Sequence, residues 1–289
     1  MGGRLDSTNI VMPEIAVITG IALDHQKYLG HTIPEIAREK AGIVKPGRAV
    51  VAGAMPTAAR SVIAERAHQL SSPLWFAAEE YPERPEIVSS QMPGHQRFRL
   101  GDRQIELMLP GPMQRRNAQV ALTVLRQIGL LNDAAVRGLA LTRWPGRIEL
   151  CAGNRVLVDG GHNPDGLLAL CEALRSLYPG RKLHWVFGAF ADKDFDGGLK
   201  LIAPLAATLE AVGFAEGSRL SAEPEAICRC AREAGIADCR SGRNLSAILR
   251  DWLERTPEPG EPPLVVAGSL YLAGEALAEL EEESRILDL

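Results

Sequence analysis

Apolar and amphipathic segments alternate through the first eighty residues. Residues 14–21 and Ala49–Ala52 are continuous apolar runs of the kind found in strands buried on both faces. Between them, Thr32 and Glu35 form a capping box, which predicts a helix that begins after Thr32. The alternation continues with a helix at about 57–69 and a strand at 74–77. This order of elements predicts a parallel β-sheet.

The middle of the chain has a different pattern. Residues 80–94 are rich in proline, glutamate and serine, and we expect a loop there. Two short runs on either side of Gly101 and Asp102 predict a β-hairpin over residues 97–107. The helices predicted after it lie at about 113–128 and 132–141.

The α/β alternation restarts after residues 143–147, whose proline and glycine predict a joint between domains. We therefore expect two domains, residues 1–143 and 144–289, the second of them a doubly wound α/β domain. Its predicted strands are 147–151, 155–159, 183–188, 208–213 and 263–268. Its predicted helices are at about 165–177, 194–205, 222–234, 244–255 and 271–285.

Composition narrows the class of protein. With 289 residues, 46% of them hydrophobic and 24% charged, the chain can bury a substantial core. The net charge of -4 does not favour a nucleic-acid partner, and no apolar run is long enough to cross a membrane. Five cysteines, an odd number without metal-binding spacing, predict free thiols and a cytoplasmic location.

The most informative stretch is Asp-Gly-Gly-His at residues 159–162. It follows the short apolar run 155–158 directly and precedes an apolar helix. Ligands of open α/β sheets bind at the carboxyl ends of the strands, where Asp159 and His162 would lie. The two glycines allow a sharp turn and a close approach by a ligand, although Asp-Gly is also an ordinary turn sequence.

Two further strands of the second domain end in polar residues. Asp192 and Lys193 follow the strand 183–188, and Ser269 follows the strand 263–268. Ser269 also begins the last helix, where its hydroxyl could donate to an anion. We expect these residues to converge with Asp159 and His162 on one edge of the sheet.

The first domain offers three isolated candidates. His25 follows a buried strand, a place that suits a metal ligand or a structural histidine. Lys40 has no acid three or four positions away on its helix, so the usual exposed ion pair is missing. Asn117 follows two arginines that could face phosphate, but such a basic helix start is also common on protein surfaces.

Seven short motifs follow one another along the chain between residue 2 and residue 271. They are GGRLDSTN (2–9), ITGIALDH (18–25), EKAGI (39–43), WPGR (144–147), DGGHNP (159–164), DKD (192–194) and GSLY (268–271). Together they resemble the folylpolyglutamate synthase/dihydrofolate synthase family within the Mur ligase superfamily. The resemblance implies an α/β fold in which part of a P-loop-type Mur ligase central domain precedes a Rossmann-like doubly wound carboxy-terminal domain.

The same resemblance implies an enzyme, an ATP-dependent ligase that joins L-glutamate to dihydropteroate, to folylpolyglutamate or to both through an acyl phosphate. It implies ATP and Mg²⁺ as cofactors. The implied partners are small molecules, namely dihydropteroate or folate and L-glutamate, with no nucleic acid or membrane, and we expect a monomer.

Individual roles also carry over from the family by position. The implied metal ligands are His25 and Lys40, the lysine being carbamylated in the family so that it offers an oxygen to a hard metal ion. The implied catalytic residues are Lys40 and His162. The implied ATP contacts are Asn117, Arg147 and Asp159. The implied substrate contacts are Leu5, Asp6 and Ser7 for the pterin, and His162 and Ser269 for glutamate.

Two features depart from the family. Gly161 stands where alanine is more usual, which is a small change. No G-x-x-x-x-G-K-[ST] phosphate loop occurs in the chain, although the family has one near its amino terminus. We therefore expect a chain that begins inside the family's first domain, exposes apolar edges over residues 10–80, and is inactive or nearly so alone.

Three other functions stay open at this point. A Mur-type ligase of cell-wall synthesis shares the chemistry and the DGxHNP-like motif. A non-catalytic remnant of the ligase would account for the absent phosphate loop. A plain dinucleotide-binding protein is disfavoured because the chain contains no G-x-G-x-x-G motif.

Overall fold

The chain forms two compact units, each with its own hydrophobic core. The structure, a computed structural model, describes residues 3–23, 29–88, 95–216 and 219–287. The first unit comprises Met1–Ser90, Gln96–Met108 and Met113–Thr142. The second comprises Gln91–His95, Leu109–Pro112 and Arg143–Leu289.

The first unit begins with a short 3-10 helix, Ser7–Ile10. Its strands are β1 (Ile15–Ile18), β2 (Ala49–Ala52), β3 (Leu74–Phe76), β4 (Glu83–Val88), β5 (Gln96–Leu100) and β6 (Arg103–Leu107). Its helices are α1 (Ile33–Ala41), α2 (Thr57–Gln69), α3 (Ala77–Glu80), α4 (Pro112–Gln127) and α5 (Asp133–Leu141).

The first sheet is parallel, in the order β1-β2-β3, as the apolar runs predict. On the central strand, Val50 packs in one core with Ile36 of α1 and Ile63 of α2. Val51 lies in a separate cluster with Val120 of α4. Both faces of β2 are therefore covered, which explains why its sequence is apolar without alternation.

The start of α1 confirms the predicted capping box. The Thr32 hydroxyl accepts a hydrogen bond from the Glu35 amide at 3.4 Å, and the Glu35 carboxylate accepts one from the Thr32 amide at 3.0 Å. These bonds satisfy amide donors that have no partner inside the helix.

The strand before α1 is shorter than predicted, since β1 comprises only Ile15–Ile18. Val17 on this edge strand is 36% exposed.

The second sheet is antiparallel, in the order β4-β5-β6. The hairpin of β5 and β6 is confirmed, with Gly101 at a φ of 56° in its turn. The prediction of a loop over residues 80–94 is wrong for Glu83–Val88, which pairs with β5. Because β4 is an edge strand with an irregular register, its proline does not have to donate to a second neighbour.

The second unit is built on one large sheet. Its strands are β7 (Glu149–Cys151), β8 (Val156–Val158), β9 (Leu183–Phe187), β10 (Ala206–Ala211), β11 (Ala215–Glu216), β12 (Arg219–Leu220), β13 (Cys239–Arg240) and β14 (Leu264–Ala267). Its helices are α6 (Pro164–Leu177), α7 (Phe195–Ile202), α8 (Pro224–Glu233), α9 (Leu245–Glu254) and α10 (Leu270–Leu287), with a 3-10 turn at Ala203–Leu205.

The large sheet has the order β13-β10-β9-β14-β8-β7. Its strands run parallel except β7, which pairs antiparallel with β8 at one edge. Val158 and Val266 pack against Leu249 of α9 and Leu272 of α10 on one face. Trp185 points the other way and is also fully buried. This arrangement confirms the doubly wound Rossmann-like domain.

The pattern missed the shortest elements of this unit. The β11–β12 hairpin and β13 have two residues a strand, too few to show a period. Within the part of the chain that the structure describes, no helix is long and apolar enough to cross a membrane.

Candidate functional site

Three adjacent strands of the second unit bring the predicted polar residues to one edge of the sheet. In the order β9-β14-β8, all three strands run parallel, so their carboxyl ends lie side by side. The Gly268 amide donates to the Gly161 carbonyl at 3.0 Å, which joins the segments after β14 and β8. The Gly188 amide donates to the Ala267 carbonyl at 3.3 Å and joins the segment after β9. The candidate site lies at this edge.

Asp159 is the buried acid of the site, with only 3% of its surface exposed. Its Oδ1 accepts a hydrogen bond from the Gly161 amide at 2.8 Å, and its Oδ2 accepts one from the Ile148 amide at 3.0 Å. Burial raises the pKa of Asp159 above its ordinary value, while these amides and the charges of Arg147 and His162 oppose the rise. The carboxyl group therefore has fixed protein partners on both oxygens.

The residues before β7 form a tight loop around this acid. Gly146 has a φ of 64°, and its amide donates to the Glu149 carboxylate at 2.8 Å. Its carbonyl accepts a hydrogen bond from the Gly160 amide at 2.8 Å. Ile148 is buried with a φ of 50°, a conformation that a β-branched residue rarely adopts. Arg147, between them, is exposed at the surface.

Sequence reasoning missed the roles of Ile148 and Glu149. The only signal was Gly146, a residue type that favours the left-handed region, in a segment already predicted to be a joint. Nothing in a linear pattern predicts that the Ile148 amide pairs with a carboxylate eleven residues away.

His162 is half-buried at the start of the segment that leads into α6. Its Nδ1 lies 3.0 Å from the Gly160 carbonyl oxygen. Because a carbonyl can only accept, Nδ1 carries a proton, and in the neutral form of the ring Nε2 is left as an acceptor. Asn163 then caps α6 by accepting a hydrogen bond from the Gly166 amide at 2.8 Å. The cap holds the backbone next to His162 in place.

Ser269 is buried at the carboxyl end of β14, with 1% of its surface exposed. Its Oγ accepts a hydrogen bond from the Tyr271 amide at 3.1 Å, so its hydroxyl proton is available to a further acceptor. The ring of Tyr271 packs edge-on against Phe190, with centroids 5.3 Å apart. Neither Tyr271 nor Phe190 was predicted to belong to the site, because their contact joins segments that are distant in sequence.

Asp192, Lys193 and Asp194 follow β9, the third strand that ends at this edge of the sheet. Asp192 is exposed, and Lys193 is half-buried just before α7. The side chain of Asp194 caps α7 by accepting a hydrogen bond from the Gly197 amide at 3.0 Å. The second of the two aspartates in this motif therefore has a structural role.

In the first unit, Lys40 lies half-buried in the last turn of α1. No hydrogen bond or ion pair of its side chain is present among the residues that the structure describes. The residue predicted to share a metal with it, His25, lies outside the described residues. Asn117 is exposed on α4, where its amide donates to the Gln114 side chain at 2.9 Å.

The candidate pterin residues lie on a loop that polar contacts hold against α1. Leu5 is 80% exposed, and Asp6 caps the 3-10 helix that contains Ser7. Asn9 donates from its side chain to the Gly42 carbonyl at 3.1 Å. Lys45 donates to the Asn9 carbonyl at 2.6 Å. The loop is thus fixed while Leu5 stays accessible.

Comparison with known proteins agrees with this arrangement. Residues 146–270 match the Mur ligase, glutamate ligase domain family. The chain is 33% identical to the folylpolyglutamate synthase of Lacticaseibacillus casei over 94% of its own length. It superposes with a TM-score of 0.82 on Mycobacterium tuberculosis folylpolyglutamate synthase complexed with ADP and AMPPCP, at 30% identity over 96% of this chain. The chain belongs to the folylpolyglutamate synthase/dihydrofolate synthase family.

The match covers part of each relative. It spans 63% of the Lacticaseibacillus casei protein and 66% of the Mycobacterium tuberculosis chain. A structure of E. coli FolC in complex with DHPP and ADP gives a TM-score of 0.80 at 27% identity, over 98% of this chain and 65% of that one. The chain therefore spans about two thirds of the length of these three relatives, and its residues 146–270 match the glutamate ligase domain.

Proposed function

We propose that the protein ligates L-glutamate to dihydropteroate, to folylpolyglutamate or to both, in an ATP-dependent reaction that passes through an acyl phosphate. The observation that supports this best is the cluster of Asp159, His162 and Ser269 on two adjacent parallel strands. Relatives with the same fold bind ADP, AMPPCP or DHPP.

The proposed reaction has two chemical steps. The substrate carboxylate attacks the γ-phosphorus of ATP, and the bond from that phosphorus to the bridging oxygen breaks, so that ADP leaves. The amine of glutamate, after losing a proton, then attacks the acyl carbon, and the tetrahedral intermediate expels inorganic phosphate. Positioning of the reactants and neutralisation of developing charge are the protein's main contributions.

In the second unit, His162 and Ser269 are proposed to bind glutamate. With Nδ1 donating to the Gly160 carbonyl, His162 can accept a proton from the glutamate ammonium at Nε2. The Ser269 hydroxyl can donate to a carboxylate of the same molecule. For the nucleotide, the exposed Arg147 offers a guanidinium to phosphate, and Asp159 offers lone pairs that its two amide donors leave open.

In the first unit, the proposed contacts come from separate elements. Asn117 is proposed to contact ATP, and Leu5, Asp6 and Ser7 to contact the pterin. Leu5 suits this role because it offers exposed apolar surface on a loop that is held in place. Lys40 is proposed to act after carbamylation.

Mg²⁺ is the metal ion that we propose for this reaction. In residues 3–23, 29–88, 95–216 and 219–287, no group of three or more His, Cys, Asp or Glu side chains is placed to hold a metal ion. The amine of Lys40 does not suit Mg²⁺, which prefers oxygen ligands, whereas a carbamate there would supply one. Together with His25, a carbamylated Lys40 is the proposed ligand set.

We also propose a cytoplasmic monomer whose partners are small molecules. All five cysteines are free thiols, as expected for a reducing compartment. Light scattering after gel filtration should give a mass near 31.2 kDa for the chain. A mass twice as large would contradict the monomer.

Glutamate-dependent release of ADP tests the proposed reaction. The purified chain and a form extended upstream through any in-frame coding sequence should be assayed with Mg²⁺, ATP and dihydropteroate or a reduced folate. We expect activity in the extended form and little in the chain alone. Activity with a UDP-sugar peptide instead would indicate a cell-wall ligase. If neither form is active with any of these acceptors, the protein is a non-catalytic remnant.

A substitution of His162 tests whether the site, and not only the fold, is needed for the reaction. His162→Gln, made in the form that shows ligase activity, should lower kcat by roughly 100-fold or more, because the proton acceptor is lost. Arg250→Gln, an exposed change on α9, is the matched control and should leave kcat unchanged. Equal activity of the two variants would remove His162 from the proposed mechanism.

A further inference from the structure

A cavity of about 310 Å³ in the first unit is lined by three arginines from three different elements. Arg4 comes from the loop before the 3-10 helix, Arg38 from α1 and Arg66 from α2. The cavity also contains Glu65 and Gln69, and its remaining wall is made of glycine, alanine and valine. Three guanidinium groups around one space favour an anionic ligand.

Little in the protein neutralises this charge. Arg4 shares the Glu39 carboxylate at 3.3 Å. The side chains of Arg38 and Arg66 make no hydrogen bond or ion pair with any residue that the structure describes. Glu65, the one acid in the lining, accepts a hydrogen bond from Gln69 at 3.2 Å. The cavity wall therefore has a net positive charge.

Helix ends explain only part of the pattern. Arg38 and Arg66 lie in the last turns of α1 and α2, where a cation interacts favourably with the helix dipole. That effect does not require a third arginine from a separate loop. It also does not explain why all three side chains surround one cavity.

The loop that supplies Arg4 is fixed in place. The Arg4 amide donates to the Glu39 carbonyl at 2.8 Å. The Asn9 side chain donates to the carbonyls of Arg4 and Gly42 at 3.0 and 3.1 Å. A Cβ atom on Gly42 would lie 2.5 Å from the Cβ of Arg4, so the loop and helix are in close contact. A cavity formed in advance binds a ligand with a smaller entropy cost.

We propose that this cavity binds the γ-linked glutamyl residues already present on the substrate, through their α-carboxylates. The inference rests on the proposed ligase function. Arg4 lines the cavity, and the next residue, Leu5, is the candidate pterin contact, so a substrate that contacts Leu5 would lie next to the cavity. The reacting carboxylate has to meet ATP, which leaves the α-carboxylates of earlier glutamates to be neutralised elsewhere. Dihydropteroate has no such groups, so the cavity favours a protein that extends polyglutamate chains.

Binding of free tri-γ-glutamate to the purified chain tests this proposal. Calorimetry at low ionic strength needs neither ATP nor a pterin, so its outcome is separate from that of the ligation assay. We expect Arg38→Gln/Arg66→Gln to weaken binding at least tenfold. The control is the double variant Arg48→Gln/Arg175→Gln, which also removes two positive charges from exposed arginines. Arg175 lies in the last turn of α6, as Arg38 and Arg66 lie in the last turns of their helices. The control should change the affinity less than twofold.

Three results would overturn the proposal. One is the absence of binding by tri-γ-glutamate, and another is equal binding to both double variants. The third is tighter binding of inorganic tripolyphosphate, with displacement of the peptide, which would identify a phosphate site. If the first double variant does not fold, Arg38→Lys/Arg66→Lys replaces it, and it should retain weakened, salt-sensitive binding because the charge remains without the bidentate geometry.

Discussion

Asp159 Oδ2 accepts a hydrogen bond from the backbone amide of Ile148 at 3.0 Å. This bond connects the end of β8 to the loop before β7 and holds Ile148 at a φ of 50°. A buried β-branched residue in that region costs roughly 1–3 kcal/mol, which the surrounding contacts have to offset. Asp159 therefore holds the loop that carries Arg147 against the end of β8.

The ionisation of Asp159 should make the stability of the second unit depend on pH. Burial raises its pKa from 3.8, so the native state holds this proton at a higher pH than the unfolded state does. The free energy of unfolding should thus fall as pH rises from 3.8 through the raised native pKa. Urea unfolding across this range should show the wild-type chain losing stability relative to Asp159→Asn.

Asp165→Asn is the control for this experiment. Asp165 is exposed in the first turn of α6, where a carboxylate interacts favourably with the helix dipole, so its substitution should lower the free energy of unfolding by no more than about 1 kcal/mol. If the wild-type chain instead gains stability relative to Asp159→Asn with rising pH, Arg147 and His162 stabilise the anion more than burial opposes it.

A second prediction concerns Gly268, which precedes Ser269. It has a φ of 110°, and a Cβ there would lie 2.5 Å from the Gly188 carbonyl oxygen. Gly268→Ala should therefore reduce the free energy of unfolding by roughly 2–4 kcal/mol. Gly274→Ala, inside α10 with no atom within 4 Å of the added Cβ, should increase it by about 0.5–1 kcal/mol. Equal effects in thermal unfolding would refute the steric argument.

The parts of the fold with a strong local signal were predictable. The Ala49–Ala52 strand and the Thr57–Gln69 helix have the bounds that the pattern predicts. The capping box of Thr32 and Glu35 was readable because both partners lie within four residues. Such elements depend on short-range contacts, which a single sequence displays directly.

The parts that depend on distant partners were not predictable. Strand β4 contains proline and glutamate, and only its pairing with β5 makes it a strand. At the site, sequence reasoning placed Asp159 and Ser269 at one edge of the sheet, and the strand order agrees. It did not show that both oxygens of Asp159 are already bonded to backbone amides.

A third prediction concerns the reactivity of two thiols. Burial raises the pKa of Cys151 and of Cys171 to about 11, from a reference value of 9.0. Only the thiolate reacts with iodoacetamide, so at pH 8 both residues should react roughly 100-fold more slowly than in the unfolded chain. Peptide mass spectrometry can follow each site, with the chain in urea as the control. Similar rates in the two states would contradict the pKa shift.

The last prediction concerns Arg155, which directly precedes β8 and lies outside the candidate site. Its guanidinium donates to the carbonyls of Trp252, Leu253 and Arg255, at the carboxyl end of α9. These carbonyls have no partner inside the helix, so the arginine acts as a side-chain cap. The Trp252 indole returns a hydrogen bond to the Arg155 carbonyl at 2.9 Å.

Arg155→Met keeps an unbranched apolar side chain up to about the position of Nε and removes every donor. The three carbonyls would then lose a charged partner in a half-buried place, and the free energy of unfolding should fall by roughly 2–3 kcal/mol. Arg155→Lys should recover part of this loss, because one ammonium cannot reach all three oxygens in the geometry of a guanidinium. Arg250→Met, exposed on α9, should change stability by less than about 0.5 kcal/mol. If urea unfolding gives the same stability for the Arg155→Met and Arg250→Met variants, water replaces the guanidinium at the end of α9, and the cap is not what holds this helix to the sheet.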